Sequence, residues 1–164
     1  MQSHENSGPY LDLPVQLMAA TLSAATPTTP ASALPEGESV PNNDQIVRGF
    51  VDCFEGKDAS RLEPFLDTEV VFCNYGDDQV DGRSAVLATW TTVFEQFDVV
   101  RFETVHQAVN GDIVLAEQIH HLGFPGAGRV APIMNVAVYE LRGGLITAWR
   151  DYTNPVHART LLTG

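Results

Sequence analysis

The sequence predicts an α+β domain, and three observations carry that prediction. Apolar residues recur at helical spacing after residue 42. Four strand-like runs of alternating apolar residues fill the second half of the chain. Asn110-Gly111 and Gly143-Gly144 separate neighbouring runs and favour hairpin turns. Helices followed by antiparallel strands are typical of α+β domains, and a strongly curved sheet wrapped around a helix would form a cone with an interior pocket.

Three helices are predicted in the first part of this domain. Asn43 or Asp44 is the expected N-cap of the first, and Gly56-Lys57-Asp58 ends it. A short second helix is predicted over residues 58–66. The third is predicted over residues 83–97, directly after the turn residues Asp81-Gly82.

Five strands are predicted, over residues 68–74, 99–106, 112–122, 129–141 and 145–152. Side chains alternate across a strand, so Thr147, Trp149 and Asp151 are expected on one face of the last strand and Ile146 on the other. By the same rule, Gln118 and His120 of the third strand are neighbours in an otherwise apolar row.

Composition and charge restrict the class of protein. The chain has 164 residues, of which 44% are hydrophobic, and is long enough for one domain with a buried core. No apolar run is long enough to span a membrane, so we expect a soluble protein without a membrane partner. The net charge of −12 would repel nucleic acid. Cys53 and Cys73 show no pairing pattern, which predicts free thiols in the cytoplasm.

Residues 1–42 differ in composition from the rest of the chain. Ala, Thr, Ser and Pro are frequent between Ala19 and Pro41, with no periodic apolar face. We expect a flexible or loosely docked arm over residues 1–42 and a single catalytic domain over residues 43–164.

The sequence contains no Gly-rich phosphate loop and no GxSxG motif, so neither nucleotide binding nor serine-hydrolase chemistry is indicated. His120 and His121 are adjacent in a predicted strand and point to opposite faces, so they cannot bind one metal ion together. The prediction is therefore an activity without a metal or a cofactor.

Asp151 is the first candidate for a catalytic group. If its face of the strand is the inner one, the carboxylate lies beside the Trp149 indole in an apolar wall, which raises its pKa toward that of a general base. The alternative is an ion pair between Asp151 and an arginine. Gln118 and His120 need buried partners, and Asp151 is an obvious one. The alternative for His120 is a core histidine with its hydrogen bonds satisfied.

Several short motifs resemble the limonene-1,2-epoxide hydrolase family, which belongs to the SnoaL-like branch of the nuclear transport factor 2 superfamily. The matching motifs are Phe72-x-Asn74, Asp81-Gly82-Arg83-x-Ala85-Val86, Thr104-x-His106, Glu117-x-x-x-x-Leu122 and Ile146-Thr147-x-Trp149-Arg150-Asp151-Tyr152. The resemblance covers about residues 43–162. It implies the cone-shaped fold, with a curved mixed or antiparallel sheet around helices, and a homodimer packed through the outer face of the sheet.

The resemblance also implies roles for individual residues. Asp151 matches the water-activating aspartate, and Asn74 matches the asparagine that helps to place the water. Phe72 replaces the tyrosine that also holds this water. Gln118 stands at the central arginine, and His120 at the aspartic acid that protonates the epoxide oxygen.

The predicted function is cofactor-independent acid–base catalysis on a small hydrophobic molecule of terpenoid, steroid or polyketide type. Epoxide hydrolysis or epoxide-opening cyclisation is the leading reaction, with Asp151 as base, protonated His120 as acid, Asn74 as water or substrate anchor and Gln118 orienting the other two. The predicted pocket walls are Phe72, Trp90, Val114, Leu122, Met134, Val136 and Trp149. The alternatives are an isomerase, dehydratase or aldol-type cyclase with a His–Asp pair, and a ligand-binding or protein-interaction module.

Overall fold

The computed structural model describes residues 41–163. The predicted arm lies outside this range, except for its last two residues. The elements are, in chain order, α1 (Asn43–Asp52), two 3₁₀ segments (Cys53–Gly56 and Ala59–Phe65), β1 (Leu66–Asn74), β2 (Val80–Asp81), α2 (Arg83–Gln96), β3 (Val99–Asn110), β4 (Ile113–Gly123), β5 (Ala131–Arg142), β6 (Leu145–Asp151) and α3 (Pro155–Thr163).

Helix α1 begins one residue earlier than the sequence predicts. Asn42 is the N-cap, and its side chain accepts a hydrogen bond from the backbone N–H of Gln45 at 3.0 Å. The Gln45 side chain accepts in return from the backbone N–H of Asn42 at 3.1 Å. This capping box satisfies two N–H groups at the helix start, so neither Asn43 nor Asp44 is needed as the cap.

The six strands form one mixed sheet in the order β2-β1-β6-β5-β4-β3. Strands β1 and β6 are parallel, and every other neighbouring pair is antiparallel. The predicted α+β fold with a curved sheet around helices is confirmed. Strand β2 and helix α3 were not predicted.

A β-bulge interrupts the pairing of β5 with β6. Leu141 is paired with Ile146, but Glu140 is paired with Ala148, so Thr147 is the extra residue. The prediction that Thr147 shares a face with Trp149, opposite Ile146, is therefore wrong. The Ile146 side chain is fully buried, whereas Thr147 is half-buried.

Aromatic residues dominate the core between the helices and the inner face of the sheet. Trp149 of β6 is fully buried. Its ring lies 5.2 Å from the ring of Phe50 in α1 and 5.2 Å from that of Trp90 in α2, measured between centroids. Large aromatic side chains remove much apolar surface from water, so this cluster joins both helices to the sheet. Cys53 and Cys73 are free thiols, as predicted. Within residues 41–163, no helix is both long and apolar enough to cross a membrane.

Candidate active site

A cavity of about 280 Å³ lies between the inner face of the sheet, helix α2 and helix α3. Six predicted site residues line it: Phe72, Asn74, Trp90, His120, Leu122 and Asp151. The other lining residues are Asp77, Thr89, Val93, Phe102, Ile133, Thr153, Ala158 and Leu162. Helix α3 contributes Ala158 and Leu162, so an element that was not predicted forms part of the wall.

Asp151 is buried at the end of β6, with 5% of its surface exposed. Its Oδ1 accepts hydrogen bonds from Asn135 Nδ2 at 2.9 Å and from Trp149 Nε1 at 2.8 Å. Among the described residues, none donates to Oδ2. No arginine pairs with the carboxylate in this part of the chain; Arg150, on the opposite face, pairs with Glu140. One oxygen of Asp151 is thus fixed, and the other is free to meet a ligand.

Burial changes the acid–base chemistry of Asp151. Desolvation raises the pKa of its carboxyl group to about 6, although the hydrogen bonds from Asn135 and Trp149 act in the opposite direction. The direction agrees with the effect expected for a carboxylate in an apolar wall. A base with a pKa near 6 is ionised at neutral pH and still accepts a proton readily.

His120 is buried on the inner face of β4, and its ring stacks on Phe102 with centroids 3.6 Å apart. Desolvation lowers the pKa of His120 to about 3, with a smaller contribution from the charge of His121. His120 is therefore neutral at physiological pH. A lowered pKa disfavours the protonated His120 that was expected to act as the acid, and this role stays a prediction.

Asn135 of β5 connects His120 to Asp151. Its Nδ2 lies 3.2 Å from His120 Nε2 and 2.9 Å from Asp151 Oδ1, while its Oδ1 accepts a hydrogen bond from Thr153 Oγ1 at 2.9 Å. Because an ionised Asp151 only accepts, the Asn135 nitrogen must face it and can donate its second hydrogen to His120 Nε2. The imidazole proton is then on Nδ1.

Gln118 is fully buried behind His120 and is in contact with His120 but not with Asp151. Its side-chain amide lies 3.1 Å from His120 Nε2 and 3.2 Å from the Tyr139 hydroxyl. The structure places Gln118 Oε1 toward His120 Nε2 and has Gln118 Nε2 donate to Tyr139. The Nδ1–H tautomer of His120 requires the opposite amide orientation, with the nitrogen toward His120 and the oxygen accepting from Tyr139. Gln118 therefore orients His120, whereas Asn135 takes the central position predicted for residue 118.

Asn74 lies beside Asp151 in the parallel pairing of β1 and β6. Its Nδ2 donates to Asp77 Oδ2 at 2.8 Å. Asn74 is thus held at the wall of the cavity by a second carboxylate, which sequence reasoning did not identify.

Four predicted wall residues do not line the cavity. Met134 and Val136 are 50% and 45% exposed, because they lie on the outer face of β5. Val114 and Trp149 are fully buried in the core instead. Trp149 still contributes to the site through its hydrogen bond to Asp151.

Besides Asp77, sequence reasoning missed the polar residues Asn135 and Thr153. Asn135 interrupts a row of buried apolar residues, formed by Ala131, Ile133, Ala137, Tyr139 and Leu141, on the inner face of β5. The same signal, a polar residue in an apolar row, drew attention to Gln118 and His120. No comparable pattern marks Thr153.

Residues 47–149 match the family model of the SnoaL-like domain. The chain belongs to the SnoaL-like domain family. The fold of this SnoaL-like domain is shared with several solved structures. One is a hypothetical protein with a ketosteroid isomerase-like fold from Catenulispora acidiphila, in complex with trimethylamine, at 15% identity and a TM-score of 0.69, covering 74% of this chain and 95% of that one.

Two further solved structures have names that state an activity. An LEH-like epoxide hydrolase of M. tuberculosis is 22% identical, with a TM-score of 0.62 over 72% of this chain and 86% of that one. A putative SnoaL-like polyketide cyclase from Shewanella denitrificans is 18% identical, with a TM-score of 0.65 over 73% of this chain and 96% of that one. These similarities show the nuclear transport factor 2-like fold, which different activities share.

Proposed function

We propose that this SnoaL-like domain is a cofactor-independent enzyme that moves a proton at a carbon atom next to a carbonyl group of a small hydrophobic substrate. The single observation that carries the proposal is how the carboxylate of Asp151 is hydrogen-bonded within an apolar cavity. One carboxylate oxygen is held by Asn135 and Trp149, the other has no partner among the described residues, and the surrounding cavity is mostly apolar.

The proposed reaction uses Asp151 as the only base. Its Oδ2 takes the proton, the C–H bond electrons move into the carbonyl group, and an enolate forms. His120 lines the cavity, and its Nδ1 has no partner among the described residues, so the neutral Nδ1–H can donate a hydrogen bond to the enolate oxygen. The Asp151 carboxylic acid then returns the proton to another carbon, which is an isomerisation. Alternatively, the enolate carbon attacks a second carbonyl group of the same substrate, and the Asp151 carboxylic acid protonates the alkoxide that forms, which is an aldol-type cyclisation.

Epoxide opening is the second candidate, because Asn74 lines the cavity beside Asp151 and together they form the water-placing pair implied by the resemblance. This reaction needs a proton donor for the departing oxygen. With a pKa of about 3, His120 holds no extra proton at neutral pH. The lowered pKa of His120 therefore favours carbon acids over epoxides.

The proposal includes the oligomeric state and the arm. Leu115, Met134 and Val136 expose 46%, 50% and 45% of their surface on the outer face of the sheet. A second copy packed on this face would cover them, which supports a homodimer. Residues 1–42 are proposed to be an arm outside the catalytic domain of residues 43–164.

The test is deuterium exchange at the α-carbons of a ketone panel in D₂O, followed by ¹H NMR. A terpenoid enone, a steroid β,γ-enone and an aromatic β-diketone represent the three substrate types. We expect exchange above the buffer rate for at least one ketone, and a loss of about 10²–10⁴-fold in Asp151→Asn. Asp78→Asn removes the same charge from an exposed position outside the cavity wall and should retain exchange.

Equal exchange in wild type, Asp151→Asn and buffer for every ketone would overturn the proposal. A panel of terpene and steroid epoxides in ¹⁸O-labelled water completes the test. Labelled diol that disappears in Asp151→Asn would replace the proposed reaction with epoxide hydrolysis.

A further inference from the structure

The charged side chains that line the cavity are all acidic. Its titratable residues are Asp77, His120 and Asp151, and burial keeps His120 neutral. Asp78, next to Asp77, is exposed and does not line the cavity. Arg129 is exposed, does not line the cavity, and donates to the backbone oxygen of Leu162 at 2.6 Å. The field inside the cavity therefore repels an anionic ligand and attracts a cation.

Aromatic rings form another part of the cavity wall. The centroid of Trp90 lies 5.9 Å from that of Phe72, with the rings tilted by 54°, and 5.8 Å from that of Phe102, with the rings at 78°. Rings at these angles enclose a corner instead of forming one stack. The negative faces of aromatic rings attract ammonium groups, and tryptophan attracts them most strongly.

Two polar atoms of this region lack protein partners among the described residues. Only 5% of the Asp151 surface is exposed, and its Oδ2 accepts no hydrogen bond from the described residues. Trp90 Nε1 is buried and has no hydrogen-bond acceptor in the same part of the chain. An unpaired carboxylate oxygen at the cavity wall favours a ligand that donates a hydrogen bond or carries a positive charge, whereas the Trp90 N–H needs an acceptor.

From the charge, the rings and the unpaired acceptor, we infer that the cavity binds a hydrophobic amine in its ammonium form. The inference rests on the proposed function, because it assigns the substrate class of the same cavity: a carbonyl compound with a basic nitrogen. The ammonium group lies near Asp77 and the rings of Phe72 and Trp90, and the carbonyl end of the substrate reaches Asp151. Asn74, hydrogen-bonded to Asp77 and paired in register with Asp151, joins the two ends of the site.

The experiment compares three probes of similar size at pH 8 on the full chain. Benzyltrimethylammonium is a permanent cation, neopentylbenzene is its neutral isostere and phenylacetate is an anion. Binding is followed through the indole ¹H–¹⁵N signals of Trp90 and Trp149. We expect the cation to bind about 5- to 30-fold more tightly than the neutral isostere, and the anion not to bind.

Two matched variants locate the charge that is responsible. Asp77→Asn should weaken binding of the cation about two- to fivefold without affecting the neutral isostere, because an exposed ion pair contributes modestly. Asp78→Asn makes the same change in net charge one residue away and should have no effect. Equal binding of cation and isostere, or equal weakening by both variants, would overturn the inference.

These outcomes are separable from those of the proposed function. Loss of ammonium selectivity with Asp151-dependent deuterium exchange intact overturns the substrate class alone. Ammonium selectivity that is present without such exchange overturns the proposed reaction alone and supports an amine-binding protein.

Discussion

Replacing Asn135 tests whether its amide holds Asp151 in the ionised form. Asn135 Nδ2 and Trp149 Nε1 are the donors to Asp151 Oδ1, at 2.9 and 2.8 Å. The substitution Asn135→Leu keeps the volume of the side chain, so water does not fill the site, and it removes the donor. A hydrogen bond to a charged group contributes about 1.5–3 kcal/mol, and one pKa unit corresponds to about 1.4 kcal/mol. The pKa of Asp151 should therefore rise from about 6 to about 7 or 8.

This change has a calculable effect on the proposed base. At pH 7, a pKa of about 6 leaves roughly nine tenths of Asp151 ionised, and a pKa of about 7 to 8 leaves roughly a half to a tenth. Asp151-dependent exchange at pH 7 should fall by about two- to tenfold on this account. The loss should become smaller as the pH rises above the new pKa, because the carboxylate is then restored.

The assay is an NMR titration of protein with ¹³C-labelled aspartate carboxyl groups, in which the Asp151 signal is assigned by its absence from Asp151→Asn. Trp149→Phe removes the other donor and should also raise the pKa. Thr153→Val leaves Asn135 in place without its hydrogen bond from Thr153 Oγ1, and should produce a smaller rise. An Asp151 pKa that stays at about 6 or falls in Asn135→Leu would refute the role of the amide.

Three further predictions concern stability and assembly. The pKa of Asp151 is raised from 3.8 to about 6, so its contribution to stability is present below pH 3.8 and lost as the pH rises through 6. At pH 8, Asp151→Asn should therefore have a free energy of unfolding up to about 3 kcal/mol higher than wild type in guanidinium titrations. At pH 4 this gain should disappear. The pKa of His120 is lowered from 6.5 to about 3, so its contribution to stability is present above pH 6.5 and lost as the pH falls. Between pH 7 and pH 4, the free energy of unfolding should therefore fall less in His120→Gln than in wild type. An equal fall in both proteins would contradict this. Met134→Glu should convert a dimer to a monomer in analytical ultracentrifugation and leave Asp151-dependent exchange in place, whereas a wild-type monomer would exclude the proposed interface.

The fold was predictable because its signals are local. Gly143 and Gly144 both have positive φ angles, 59° and 82°, which glycine adopts at little cost, and they join β5 to β6 where the turn was predicted. Helix α3 gave no such signal, because its sequence has no residue that the structure buries. Strand β2 has only two residues, which is too short for any period.

The site was only partly predictable, since the chemistry of His120 depends on its surroundings. Its position beside Gln118 follows from alternation along β4, and the structure confirms that both are buried on the inner face. Its pKa depends on how completely the ring is removed from water, and Phe102 covers it from the neighbouring strand β3. The sequence does not show this depth of burial, so the charge of His120 could not be assigned from it.

The residue opposite Asp151 depends on the bulge at Thr147. Regular pairing from the Gly143-Gly144 turn places Arg142 opposite Leu145 and, continued without interruption, places Val136 opposite Asp151. The bulge moves the pairing by one residue, so Ala137 lies opposite Asp151 instead.

A one-residue shift exchanges the two faces of a strand, so the bulge turns Trp149 and Asp151 to the inner face, where Asn135 already lies by alternation along β5. Thr147 Oγ1 donates to the backbone oxygen of Glu140 at 3.1 Å, across the point where the register changes. The bulge brings the Asn135 amide to within 2.9 Å of Asp151 Oδ1, and with it the bridge to His120. The working arrangement of this site is therefore set by a backbone irregularity outside the cavity wall as much as by the residues that line it.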